Sequence, residues 1–209
     1  MYTCGICTMD VCRTGEIEKG PKNCPCKDEI IEESKIEYKK EENYLLARNS
    51  ALVEAEGYCK KTRIEEIMDF AKKCKYKKIG IAFCIGFKKE TKILHDILSK
   101  NGFQVESVIC KSGSISKSII GINREEQVRP YCEHEAMCNP IGQAKLLNKA
   151  NTDLNLMFGL CVGHDSLFIK YSKAPITVMA VKDRVLGHNP IQAIYLADSY
   201  YKSKLFPKE

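Results

Sequence analysis

The sequence contains no tryptophan, no internal repeat and no low-complexity linker. No segment approaches the roughly 18 uninterrupted apolar residues of a membrane span. The opening MYTCGICTMD lacks the apolar h-region of a signal peptide, so a cytoplasmic protein with no membrane partner is expected. RNA-binding and zinc-finger signatures are also missing, which argues against nucleic acid as a partner. Neither charge sign dominates: 33 Lys and Arg face 27 Asp and Glu, a formal charge of +6, with acids interspersed through stretches such as KKEENYLLAR. Such a balance speaks to solubility more than to a polyanionic partner. The run KKCKYKK, Lys72 to Lys78, has two readings, contact with an anion or a solvated helix end where lysines suit the dipole.

Cysteine, by contrast, is abundant, with 12 in 209 residues. In a reducing compartment such an excess argues for metal or thiol chemistry rather than a disulfide framework. Cys4, Cys7, Cys12 and Cys24 form C-x2-C-x4-C-x11-C, and Cys26 stands beside them as a spare in NCPC. The surrounding segment has little apolar periodicity, so something other than a core must order it. Four thiolates near in sequence suit zinc or an iron-sulfur cluster, both of which favour soft ligands. The spacing matches neither a plain zinc ribbon nor the ferredoxin run, which leaves the metal open. The competing reading is a mobile N-terminus with idle cysteines.

After Asp28, an N-cap candidate, helical patterns run through EIIEESKIEYKK and NYLLARNSALVEAEGY. Thr62 and Glu65 make a capping-box pattern opening a helix through IEEIMDFAKKC. From there the text alternates. KKIGIAFC, FQVESVIC, DLNLMFGLC and PITVMAVKD read as strands, separated by helices in KETKILHDILSKNG, NPIGQAKLLNKA and SLFIKYS. Gly102 ends the first of these helices and Pro140 opens the second. A final helix is expected from GHNP through IQAIYLADSYYK. Alternation at this spacing implies parallel strands joined by right-handed crossovers. The expected fold is a three-layer α/β domain over residues 63–209 with a mainly parallel sheet of about four strands. A helical lead-in over 28–62 and a cysteine-rich metal-binding segment over 1–27 precede it.

Placing the strands exposes a second constellation. Cys84, Cys110 and Cys161 each end a strand, and the C-terminal strand ends are the ligand-binding edge of an open parallel sheet. In the order 2-1-3-4 these cysteines lie on neighbouring strands about 4.8 Å apart. Cys138 joins them where a helix N-terminus favours thiolates. This group is the candidate for a second metal or iron-sulfur site. Against it stands the frequency with which free cysteine is simply buried as a small hydrophobe. Cys59 and Cys74 are read as structural, and Cys132 with His134 and Cys138 forms an ambiguous local C-x-H-x3-C.

Lys111, Lys182 and Arg184 around this edge would bind a small anionic substrate, and His164 beside Asp165 would move protons. His188 has two readings, substrate contact or a cap beside Pro190. The plainer alternatives are that Asp165 caps a helix and that Lys182 to Arg184 are a solvated turn. A rival scheme makes Cys161 a nucleophile whose pKa is depressed before a helix, with His164 near in sequence and His164 and Asp165 as further catalytic candidates. Catalytic partners are usually brought together by the fold rather than lying three residues apart, which weighs against that scheme.

The stretches CGICTMDVC with NCPC, KKIGIAFCIGFKKE, SVICKSGSISK and CNPIGQAKLLNKANTDLNLMFGLCVGHDSLFIKYSKAPITVMAVKDRVLGHNPIQAIY together resemble a family of cysteine-rich predicted metal-binding proteins of unknown function, chiefly from anaerobic bacteria and archaea. The resemblance implies that Cys4, Cys7, Cys12, Cys24, Cys84, Cys110, Cys138 and Cys161 are patterned cysteines. It implies the same for Lys111, His164, Asp165, Lys182, Asp183, Arg184, His188 and Asn189, with Cys26 an extra of this sequence. The leading expectation is a metal-binding protein, zinc or iron-sulfur, whose edge cysteines perform redox or sulfur-dependent chemistry on a small anion or with a redox partner. A thiol-dependent enzyme using Cys161 and a non-catalytic metal-binding scaffold are the alternatives.

Overall fold

A computed structural model describes residues 1–207. The chain divides into two compact units, one spanning Met1–Lys60 and the other beginning at Lys61. No helix among the described residues is long and apolar enough to cross a membrane.

The first unit opens with short turns around α1 (Val11–Thr14), followed by α2 (Ile30–Glu37) and α3 (Glu41–Gly57). Ahead of α2 the only core side chain is Val11, so polar ties do the work of packing. Asn23 Nδ2 donates to Met1 O and to Thr3 Oγ1, both at 3.0 Å, and the Tyr2 hydroxyl donates to the Asp28 carboxylate. Asp28 also accepts from the Ile30 N–H at 3.2 Å, which secures the first turn of α2.

In the second unit α4 (Arg63–Lys73) starts with the expected capping box, the Thr62 N–H donating to Glu65 Oε2 at 2.7 Å and the Glu65 N–H to Thr62 Oγ1 at 3.4 Å. The remaining elements are β1 (Lys78–Phe83), α5 (Lys88–Lys100), β2 (Gln104–Ile109), α6 (Pro140–Lys149), β3 (Leu154–Leu160), α7 (His164–Tyr171), β4 (Ile176–Val181), α8 (Ile191–Tyr195) and α9 (Lys202–Leu205). The four strands form one all-parallel sheet in the order β2-β1-β3-β4, as the alternation predicts. Right-handed crossovers then put α5 on one face and α6 and α7, which pack together, on the other.

Position in the sheet accounts for the sequence of each strand. The central β3 is buried throughout, which is why LNLMFGL is a continuous apolar run, whereas the edge strand β2 carries Glu106 and Ser107 in solvent. Thr91, Leu94 and Leu98 form the buried stripe of α5. Gly80 in β1 is required by close packing, since a Cβ there would lie 2.1 Å from Asn155 Oδ1 and 3.1 Å from both methyls of Leu147 on α6.

One expectation needs correction. The last helix is broken into α8 and α9, with turns across residues 196–201. Ile191, Ile194 and Tyr195 are all exposed, so no packed stripe offsets the entropy of a longer helix.

Candidate functional site

The C-terminal ends of the strands gather the cysteines. Phe83 is in register with Ile109 on one side and Phe158 on the other, so Cys84 and Cys110 follow paired residues. The ladder continues through them: the Cys110 N–H donates to Phe83 O at 2.8 Å and the Cys84 N–H to Phe158 O at 3.1 Å. Cys138 arrives from the other direction. The Asn139 N–H donates to Cys110 O at 2.7 Å, while the Asn139 side chain accepts from the Gly142 N–H at 2.8 Å and donates to Ser112 O at 3.1 Å. One N-cap thus starts α6 and seats Cys138 against Cys110. Gln143, fully buried one turn further on, donates to Phe83 O at 3.1 Å and Val108 O at 2.7 Å and ties the ends of β1 and β2 together.

The resulting sulfur row has Cys110 in its centre, hydrogen-bonded to Cys138 on one side and Cys84 on the other. Those two contacts, Cys138 first, together with burial hold the Cys110 thiol in its protonated form. Its neighbours shift the opposite way. The Cys84 pKa falls to about 5, chiefly through the Cys110 hydrogen bond, with the Gly86 N–H and the Lys182 charge assisting. The Cys138 pKa falls to about 4, again through Cys110 first and then through His164. His164 responds with a raised pKa, caused mainly by its hydrogen bond with Cys138, so each group favours the charged form of the other. The Ile85 N–H adds a 3.3 Å contact to Cys110 Sγ.

Cys161 has a different partner. Its Sγ accepts from Arg184 Nη2 at 3.3 Å, and this contact raises the arginine's pKa, with Cys84 and Cys138 contributing at longer range. The sequence pairs Cys161 with His164, whereas the imidazole's sulfur partner is Cys138. Asp165 lies in the first turn of α7, where its carboxylate accepts from the Ser166 N–H at 2.8 Å and adds to the field that favours imidazolium.

Phe87, which sequence reasoning missed, is the apolar floor beside these groups. Its ring lies 4.5 Å from that of His188 and 4.6 Å from that of Phe158, and Lys182 Nζ sits 4.0 Å from its centroid. Gly159 makes room for it: φ is +67°, and a Cβ would come within 2.0 Å of Phe87 Cε2. The register shift between β3 and β4 at this point is the mark of that glycine. His188 belongs to a turn. Its N–H donates to Asp183 O at 2.8 Å, its Nδ1 accepts from the Asp183 N–H at 3.1 Å, and Asp183 Oδ1 accepts from the Val185 and Leu186 N–H groups. With Nδ1 an acceptor, the proton of the neutral ring lies on Nε2.

The polar stretch between β2 and α6 is a closed excursion, pinned by a bridge between Ser116 and Ala136 and by the Met137 N–H donating to Ile115 O at 2.7 Å. Lys111 Nζ donates to Ala136 O at 2.6 Å, so this lysine fastens the excursion, and its charge also favours the Cys138 thiolate. His134 pairs with Ser114 Oγ at 3.2 Å, and Cys132 is half-buried.

In the first unit a pocket is lined by Cys4, Cys7, Cys12, Cys24 and Cys26. Cys26, set aside in the sequence as a spare, hydrogen-bonds with Cys24, and that contact, burial and the charges of Cys24, Cys12 and Cys4 raise its pKa. The C-x-C spacing in NCPC is the signal that would have included it. None of the 12 cysteines forms a disulfide. Among the described residues no three His, Cys, Asp or Glu side chains already stand at the positions a metal ion needs.

Comparison with known proteins places these residues in a family. Residues 23–179 match the DUF1847 family, described as proteins of unknown function. That span holds Cys24, Cys26 and the whole edge group through His164, and it ends before Lys182 and Arg184. The chain is also 52% identical over 202 residues to an uncharacterized protein, MJ0455, of Methanocaldococcus jannaschii, with 97% of each chain covered. The protein described here belongs to the DUF1847 family.

Proposed function

We propose that this is a cytoplasmic metal-binding protein whose N-terminal cysteines hold zinc or an iron-sulfur cluster. At the sheet edge, Cys84, Cys110 and Cys138 perform redox or sulfur-dependent chemistry on a small anionic molecule. Lys182 and Arg184 receive the anion, His164 with Asp165 holds and moves the proton of Cys138, and Lys111 fixes the loop that carries Cys138.

The observation behind the reading is the row Cys84, Cys110, Cys138, His164, four chemistry-bearing side chains drawn from four separate segments to the C-terminal edge of one sheet. Burial alone would leave the thiols neutral, whereas here neighbours draw two of them toward thiolate. For the N-terminal group the donor set is all sulfur, which fits zinc or iron, and the segment buries only Val11 ahead of α2. Binding would supply the order that a core does not. When bound, zinc would cross-link the segment, and a cluster would add one-electron chemistry.

Anaerobic purification followed by metal and acid-labile sulfide analysis tests this. Iron with sulfide supports a cluster, and zinc alone confines the metal to a structural role. A fully thiol-competent protein with no bound metal overturns the metal assignment.

A second reading, a thiol-dependent enzyme, is favoured by the Cys138–His164 pair. In it the nucleophile is Cys138 rather than Cys161. Rapid alkylation of Cys138 ahead of all other cysteines in metal-free protein is its signature.

A further inference from the structure

Cys84 and Cys110 follow residues that are paired in register, so they lie side by side on adjacent strands. The strand spacing of about 4.8 Å falls within the roughly 4.4–6.8 Å that a disulfide spans between Cα atoms. Cys138 is brought to the same sulfur by its neighbour Asn139, whose N–H donates to Cys110 O at 2.7 Å, and its side chain hydrogen-bonds with that of Cys110. Access then separates the three. Cys110 and Cys84 are 2% and 7% exposed, beyond the reach of an external disulfide, while Cys138 is half-buried and opens to solvent.

We propose that the edge is a three-thiol exchange centre that takes a small carboxylate-bearing disulfide as oxidant, with Cys110 the shared sulfur of two mutually exclusive disulfides, Cys84–Cys110 and Cys110–Cys138. This rests on the reading of the edge as a sulfur-dependent redox site and names its substrate class. Arg184 and Lys182 beside the row select for the negative charge of that substrate.

The atoms balance as follows. Cys138 Sγ attacks one sulfur of the small disulfide, forming a mixed disulfide and expelling the first small thiol. Cys110 Sγ then attacks Cys138 Sγ, the mixed bond breaks, and the second small thiol leaves. Two protein thiols are oxidised to one disulfide, the small disulfide is reduced to two thiols, and the two protein protons leave on those thiols. Attack of Cys84 Sγ on Cys110 Sγ moves the bond inward and returns Cys138 as a free thiol at the surface. The Ile85 N–H, 3.3 Å from Cys110 Sγ, restrains that sulfur.

The test uses the full-length chain prepared anaerobically, treated with oxidised glutathione as isolated and after chelation, then acid-quenched, alkylated and mapped by mass spectrometry. Disulfide peptides containing Cys110 joined to Cys138 or Cys84 are expected. Cys84→Ser retains Cys110–Cys138, and Cys110→Ser loses both bonds and accumulates the glutathione adduct on Cys138, with thermal unfolding confirming that each variant folds. A dominant Cys84–Cys138 or Cys138–Cys161 bond overturns the proposal. Edge thiols that react only after a bound metal is removed also overturn it and leave metal binding as the work of the edge. Edge thiols that stay reduced with no metal present overturn both.

Discussion

Arg184 Nη2 donates to Cys161 Sγ at 3.3 Å, so the cysteine closing β3 is answered by a cation that follows β4 rather than by the histidine three residues along the chain. Two sets of contacts therefore share the edge, Cys161 with Arg184 as a cationic rim and Cys138 with His164 and Cys110 in the sulfur row.

The rim predicts charge selection. In metal-free protein, thiol oxidation by oxidised glutathione should outpace oxidation by the cationic disulfide cystamine, and added salt should narrow the difference. Arg184→Ala and Lys182→Ala should each reduce the ratio of the two rates, with the unfolding midpoint little changed for the exposed Arg184. Equal rates for both disulfides in the unmutated protein would count against an anionic substrate.

The row predicts a pH profile. Cys138 titrates near 4, so its alkylation by iodoacetamide in metal-free protein should already be rapid in mildly acidic solution, where ordinary thiols are inert. Cys110→Ala should move the profile to higher pH further than His164→Ala, because the Cys110 contact is the larger cause. The linked stability has two limits. The depressed Cys138 pKa contributes stability that is full above the ordinary thiol value of 9.0 and is lost progressively as pH falls to about 4, and the raised His164 pKa contributes stability that is full below the ordinary value of 6.5 and is lost as pH rises through its folded value. Stability should therefore fall as pH drops from about 6.5 toward 4, where only Cys138 contributes a slope, while above 6.5 the two contributions oppose each other, which denaturant unfolding at several pH values would register.

Gly159→Ala should be severe. Its Cβ would overlap the Phe87 ring and its φ of +67° disfavours any side chain. Overpacking and left-handed strain together cost about 2–4 kcal/mol, read as a lowered unfolding midpoint. Phe87→Leu should recover part of the loss in the double variant, because it removes the clashing ring edge; full additivity would show that the two positions are not coupled.

At the N-terminus, Cys26→Ser should lower metal affinity as strongly as Cys24→Ser, and Cys59→Ser, which lies outside the pocket, should not. Competition with a chromophoric chelator measures this. A Cys26 variant with unchanged affinity would return that residue to the status of a spare.

The parallel sheet was legible because buried parallel strands are written as apolar runs and their connecting helices as periodic ones. IGIAF and LNLMFGL carry the first signal, and the stripe of Thr91, Leu94 and Leu98 the second. The capping box at Thr62 was equally readable from local chemistry, and the order 2-1-3-4 supposed for the strands is the one the sheet has. Even the gathering of Cys84 and Cys110 with Cys138 followed from two strand ends and a helix start. The choice of partners did not. Whether His164 meets Cys138 or Cys161, whether Lys111 points at a ligand or at Ala136 O, and why Gly159 must yield to Phe87 depend on a few ångströms set by bulges, caps and ring packing. The same holds for Cys26, whose contact with Cys24 turns on one tight turn at Pro25. Residue types and their periodicity therefore determined which groups share the edge, and only tertiary packing decided which of them touch, because hydrogen-bond and sulfur contacts fall off over distances shorter than a sequence pattern resolves.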